Sequence, residues 1–321
     1  MQSKGGGARP EGATSRYGAS NKRKRERGFR PVRRGGRGVA LQRTVPDFLI
    51  ITTADLPEAY FLAAFLEART QAFAIVNIVA RSLASQLSVL ARLRRNRGSR
   101  YLADVLLARA ADGIGTVRPA SQRGTAFPEI DAKFIAHVRA DHPHLDCRDP
   151  HADEVLDFIR RYEPDYMLLA GAPVLRPSVF GLARRAALNR HLGLVPDFRG
   201  SDCMLWALAL DRSESVGYSI HVVTERVDGG DVIVRRPVPV QDDPSMDIYL
   251  RRLQREASTG FVEVLDDVIE GRPLPRVSQN GKGQYFPPAG WSTRRRAERA
   301  FARVASQQHA LHDASVRPLV T

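Results

Sequence analysis

The stretch Asp47-Phe48-Leu49-Ile50-Ile51-Thr52 decides how the rest of the chain is read. It is short and apolar, partly β-branched, and has no alternation of polar positions. That pattern belongs to a strand buried on both faces, as in a parallel sheet. Just after it, Asp55 is expected to cap a helix with Pro57 in its first turn. Phe73 to Val79 reads as a second buried strand, again followed by helix. Further on, helix at about His151 to Tyr162 precedes a strand at Tyr166 to Leu169, and Ala186-Ala187-Leu188 runs directly into Asn189. Alternating strands and helices imply right-handed crossovers, hence an α/β fold with a mostly parallel sheet and helices on both faces.

Outside that core the readings are coarser. Asp243 and Pro244 are expected to open a helix carrying Met246, Leu250, Leu253, Ala257, Phe261, Leu265 and Val268 on one face, stopped by Gly271 and Pro273. After about Pro288 the Arg/Ala-rich sequence lacks a clear apolar face, so residues 289–321 are read as a peripheral extension. Residues 1–38 hold twelve Lys/Arg against Glu11 and Glu26, so ten of the fourteen net positive charges lie there and four in the rest. Such a tail cannot bury enough surface to offset chain entropy. It is expected to be a solvated appendage, and it is the one segment suited to nucleic acid. The main domain is expected over 39–288.

Composition also excludes functions. No run of about 18 or more apolar residues occurs, so a soluble, cytoplasmic protein without a membrane partner is expected. Cys147 and Cys203 have no metal-knuckle or disulfide spacing. No glycine occurs between Gly38 and Gly98, where a dinucleotide fingerprint after the first strand would need several. His137, His142, His144 and His151 crowd together near Asp146 and Cys147, yet match no ligand spacing; Pro143 and Pro150 suggest a loop, and no metal is expected.

Two segments carry chemistry: Asn189-Arg190-His191-Leu192-Gly193-Leu194-Val195-Pro196-Asp197-Phe198-Arg199-Gly200 and Val227-Asp228-Gly229-Gly230-Asp231. In extended backbone the spacing of Asn189 and His191 puts both side chains on one side. Asp228 lies at the mouth of a Gly-Gly turn after the strand-like run Tyr218 to Val223, where it can face a cleft. An amide, an imidazole and a carboxylate suit acyl transfer to an amine. A protonated His191 and the Asn189 amide would stabilise the oxyanion, while Asp228 would favour the imidazolium and help remove the amine proton.

Together these segments resemble the catalytic domain of the formyltransferase family. The likeness runs over roughly residues 45 to 288 and is carried by Glu163-Pro164-Asp165, Leu169-Ala170-Gly171, the Asn-x-His and Pro-x-Phe-Arg-Gly elements, Trp206-Ala207-Leu208 and Asp228-Gly229-Gly230-Asp231. The resemblance implies a Rossmann-like catalytic domain with Asn189, His191 and Asp228 as the catalytic trio and 10-formyltetrahydrofolate as donor co-substrate. It further implies that Ala172, Val174 and Leu175, with Glu225, Arg226 and Val227, line the pterin pocket.

The departures bear on the acceptor. Leu192-Gly193 replaces the Pro-Ser that commonly follows the histidine, the glycine-rich phosphate loop is missing, and no tRNA-binding C-terminal barrel is expected. An amino sugar, an amino acid derivative or a natural-product amine remains as acceptor; the oligomeric state stays open. Two alternatives stand beside formyl transfer: hydrolysis of formyltetrahydrofolate on the same fold, and a basic nucleic-acid-associated protein whose catalytic domain is vestigial.

Overall fold

A computed structural model describes residues 47–79, 83–114, 125–281 and 283–316. The expectation for the basic tail lies outside them. In chain order the elements are β1 (Phe48–Thr53), α1 (Pro57–Ala68), β2 (Phe73–Ile78), α2 (Leu83–Arg97), α3 (Ser99–Ile114), α4 (Ala132–Asp141), β3 (His144–Cys147), α5 (Asp153–Tyr162), β4 (Tyr166–Ala170), α6 (Pro177–Phe180) and β5 (Ala186–His191). There follow β6 (Phe198–Gly200), α7 (Cys203–Ala209), β7 (Gly217–Val222), β8 (Val232–Pro237), α8 (Met246–Ile269), β9 (Gln284–Phe286) and α9 (Trp291–Val316).

Seven strands form one sheet in the order β3-β2-β1-β4-β5-β7-β8, with β1 to β5 parallel and β7 and β8 antiparallel; β6 and β9 pair in parallel as a separate ribbon. The mostly parallel α/β reading therefore holds. The chain winds outward from β1 through β2 and β3, then returns to the other side of β1 with β4. Such a reversal opens a crevice at the carboxyl ends of the strands, where ligands of open α/β sheets bind.

β1 earns its central place because its side chains alternate between two cores. Phe48 and Ile50 join the larger cluster beneath α1, α7 and α8, whereas Leu49 and Ile51 join the smaller one with α5, and all four are fully buried. Burying each contributes about 1.5–3 kcal/mol. The expected stripe on α8 faces the larger cluster.

Four local expectations are corrected. Asp55 does not cap α1: Leu56 occupies that position, and the Asp55 carboxylate instead pairs with Arg139 at 2.9 Å and accepts the Tyr60 hydroxyl. Ser245 caps α8, its hydroxyl accepting the Ile248 N–H, while Asp243 pairs with Arg252. The segment with Pro143 is not all loop, since His144–Cys147 is a strand at the sheet's edge. An edge tolerates Pro143 because only its carbonyl is used, accepting Ile75 N–H at 2.9 Å. Finally, the first half of α9 is not peripheral: Ala297, Ala300 and Phe301 are buried and Phe301 stacks on Tyr249. Among the described residues no helix is long and apolar enough to cross a membrane.

Candidate active site

On β5 the alternation that buries Ala186 and Leu188 in the larger core also sends Arg190 to that face, where Glu58 (3.1 Å) and the Gln254 carbonyl (3.3 Å) receive its guanidinium. Asn189 and His191 take the opposite face. There they line a cavity of about 1300 Å3 with residues from the ends of β2, β4 and β7. β7 runs antiparallel to β5 in a register that sets His221 directly beside Asn189, so His221 shares the cavity wall.

Asp228 lies in the loop between β7 and β8 in the left-handed region, φ 49°, a conformation Asp tolerates better than most residues. The Gln279 side-chain amide holds this loop by donating to the carbonyls of Asp228 (2.9 Å) and Gly230 (2.7 Å). Around the Asp228 carboxylate the expected trio converges. Oδ2 accepts the Gly200 N–H at 2.8 Å and faces His191 Nδ1 at 3.7 Å; Oδ1 faces Asn189 Nδ2 and His221 Nε2, both at 3.4 Å.

The backbone sets the ring orientations. His191 Nε2–H donates to the Phe198 carbonyl at 2.9 Å, which leaves Nδ1 toward Asp228. His221 Nδ1–H donates to the Val222 carbonyl at 2.9 Å, so Nε2 accepts from Asn189 Nδ2 at 3.2 Å. One hydrogen of the Asn189 amide is thereby committed, and the second is held only loosely.

Gly193 is part of this arrangement. A Cβ there would come within 2.5 Å of His191 Nε2 and 2.8 Å of the Phe198 carbonyl, the two atoms of that hydrogen bond.

Electrostatics separate the roles. Burial alone would raise the Asp228 carboxyl, but the attraction of the His221 and His191 rings once acid protonates them, with the Gly200 N–H, outweighs it and brings it to about 2. Burial pushes His191 below its ordinary value, more strongly than Asp228 pulls it up. Burial thus favours a neutral imidazole beside an ionised carboxylate in the resting centre. Cys203, buried nearby, has its thiol pushed far upward and offers no thiolate nucleophile.

Of the residues expected around the pterin, Ala172, Val174, Leu175 and Val227 line the cavity, whereas Glu225 and Arg226 are exposed and do not. The four crowded histidines disperse: His137 and His142 meet Glu67, His144 meets Asp146, and His151 meets Asp149. Among the described residues no three His, Cys, Asp or Glu side chains are grouped to hold a metal ion. Sequence reasoning missed His221 and Gln279. Ser219 and His221 do alternate with the apolar Tyr218 and Ile220, a visible signal of one polar face on that strand.

Residues 113–265 match the family model described as formyl transferase. The chain is 31% identical over 186 residues to phosphoribosylglycinamide formyltransferase of Escherichia coli, a match covering 57% of this chain and 81% of that protein. It is also 31% identical over 154 residues to methionyl-tRNA formyltransferase of Chlorobium phaeovibrioides, covering 48% of each, so it spans about half the length of that relative. Among solved structures, glycinamide ribonucleotide transformylase 1 from Symbiobacterium toebii aligns over 76% of this chain and 99% of its own, with a TM-score of 0.48 and 17% identity.

Proposed function

The chain belongs to the formyltransferase family, and from that premise we propose that it transfers a formyl group from 10-formyltetrahydrofolate to an amine at the Asn189, His191 and Asp228 centre. The supporting observation is the convergence of Asn189, His191 and His221 on the Asp228 carboxylate at the wall of one large cavity. Ala172, Val174, Leu175 and Val227 offer the donor's ring an apolar slot within that cavity. The donor supplies an activated formyl carbon.

In this reading the amine nitrogen forms a bond to the formyl carbon, and the carbonyl electron pair moves onto oxygen. The loosely held hydrogen of the Asn189 amide turns to that oxygen. Asp228, ionised and acceptor-only, takes the proton the amine loses, directly or through water, and passes it to His191 Nδ1. His191 Nε2 is already committed to Phe198, so Nδ1 is the nitrogen that cycles. The imidazolium then gives its proton to the departing donor nitrogen as the old carbon–nitrogen bond breaks, and the centre returns to its resting state. His221 holds the Asn189 amide in place. The chain from residue 39 onward, with α9 packed into its core, is proposed to do this without the basic tail at 1–38.

The test is to supply purified protein with 10-formyltetrahydrofolate and a panel of amines while following tetrahydrofolate release and formamide formation. Amine-dependent release supports transfer. Release without any amine would make water the acceptor, and no release in folded protein would refute the reading.

A further inference from the structure

Of the four crowded histidines, only His151 reaches the cavity. It sits in the turn that leads into α5, where Asp149-Pro150-His151 folds back on itself. One oxygen of the Asp149 carboxylate accepts the His151 backbone N–H at 2.9 Å and lies 3.1 Å from the ring nitrogen Nδ1. The other ring nitrogen, Nε2, accepts the backbone N–H of Arg176 at 3.1 Å. Only a nitrogen without a proton accepts an N–H, so Nδ1 carries the hydrogen and donates it to Asp149. The His151 backbone N–H, more than any other partner, holds the Asp149 carboxyl below the usual carboxylate range. The carboxylate therefore stays ionised, and the tautomer of His151 stays fixed.

Arg176 ends the segment that supplies three of the four residues of the donor slot. After β4 the chain turns at Gly171, φ 72°, and runs through Ala172, Pro173, Val174 and Leu175 to Arg176. Among the described residues no backbone–backbone hydrogen bond holds Ala172 to Leu175, and Pro173 has no N–H to give. Ala172 and Leu175 pack on the smaller core, while Val174 is exposed. Apolar contact is non-directional, so it keeps the segment against the core without fixing where along the core it lies. The directional hold comes at Arg176, whose carbonyl accepts the Val179 N–H at 2.9 Å as α6 begins and whose N–H is taken by His151.

We propose that Asp149 and His151 are positioning residues for the donor: Asp149 fixes the tautomer, and His151 Nε2 holds Arg176 so that Ala172, Val174 and Leu175 present a preformed slot. This rests on the formyl-transfer reading above. A preformed slot spares the donor the cost of ordering it. Neither residue touches the Asp228 centre, so the pair governs how tightly the donor binds and leaves the chemical step to Asn189, His191 and Asp228.

The test is calorimetric titration of the full chain with tetrahydrofolate, with hydrogen exchange at the Arg176 amide and donor kinetics beside it. In His151→Gln the amide oxygen stands where Nε2 was and still accepts the Arg176 N–H; in His151→Asn it stands where Nδ1 was and falls short. Loss of one neutral hydrogen bond is expected to weaken tetrahydrofolate about three- to tenfold in His151→Ala and His151→Asn. The donor KM should rise alike with kcat kept within about twofold, and Arg176 should exchange faster. His151→Gln should bind and exchange like the parent, and Asp149→Ala, which frees the tautomer, should fall between. Equal affinity in the parent and His151→Ala, or a Gln variant as weak as the Ala variant, overturns the proposal and leaves formyl transfer standing. So does a loss confined to the thermal midpoint, which a merely structural turn would give. Weaker binding in His151→Ala with Arg176 exchange unchanged means that the ring touches the donor itself, and the positioning role fails. A folded parent that binds no tetrahydrofolate refutes the formyl-transfer reading, and the proposal with it.

Discussion

Arg190 and His191 are consecutive on β5, both polar and both buried, and they face opposite sides of the sheet. On the closed side, one guanidinium meets one carboxylate and one carbonyl at hydrogen-bond distance. On the open side, a single carboxylate is shared among four groups, and only the Gly200 N–H lies closer than 3.4 Å. A charge matched by a close partner is inert because every alternative costs more. A charge spread over long contacts can change partners when a ligand arrives. The two residues thus separate a buried charge that maintains the fold from the side where, in the proposed reading, protons move.

That contrast breaks if substitutions on the open side harm folding more than turnover. His191→Ala and Asp228→Asn are expected to lower kcat by about a hundred- to a thousandfold or more, with Asn189→Ala at or below that range. Donor affinity should change little, and the thermal midpoint should fall modestly, most in Asp228→Asn, which gives up the stabilisation that holds its carboxyl near 2; kinetics beside a melt decides it. On the closed side the order reverses. Arg190→Ala strands Glu58 and should cost about 3 kcal/mol of unfolding free energy, whereas Arg190→Met with Glu58→Gln should recover most of it. Denaturant titration reads this, and a kcat loss per folded molecule that survives the double substitution would put Arg190 in the chemistry.

A smaller effect probes the seam between the two sides. Gly193→Ala should displace the His191 ring from Phe198 and lower kcat by about tenfold with folding intact. Unchanged turnover would show that the Nε2 hydrogen bond is dispensable.

The acidity of the open side makes a further prediction. His191 is held below its ordinary 6.5, and Asp228 is held near 2 rather than 3.8. For both, the unfolded chain binds the proton more readily, so their contribution is complete above 6.5. It is lost as pH falls, first through the His191 window below 6.5, then between 3.8 and about 2. The thermal midpoint should therefore drop on acidification below 6.5, less steeply in His191→Gln, and the acid limb of kcat/KM should also lie below 6.5. Equal slopes in both proteins would count against a buried neutral imidazole. Least affected is His144→Ala on the edge strand, expected to turn over near the parent rate; a large loss there would reopen the question of the histidine group.

How legible was this in the sequence? The central strand and the pairing of Asn189 with His191 follow from local periodicity, because burial on both faces and side-chain alternation are properties of a few adjacent residues. His221 was missed because its neighbour is Asn189, 32 positions away, and only the antiparallel register of β7 makes them adjacent. Asp55 satisfied the local rule for a helix cap, yet Arg139 from α4 offered its carboxylate a stronger partner. In α9 the buried face rests mainly on Ala297 and Ala300, which are too small to mark an apolar stripe against so many arginines.

The ribbon of β6 and β9 has one more consequence. Phe198 and Gly200, whose carbonyl and N–H orient His191 and Asp228, are paired with Gln284 and Phe286. During synthesis Asn189, His191, His221 and Asp228 leave the ribosome well before that partner strand does. The nascent chain can thus hold its chemistry in an unset form, and the last strand to emerge determines when the centre becomes competent.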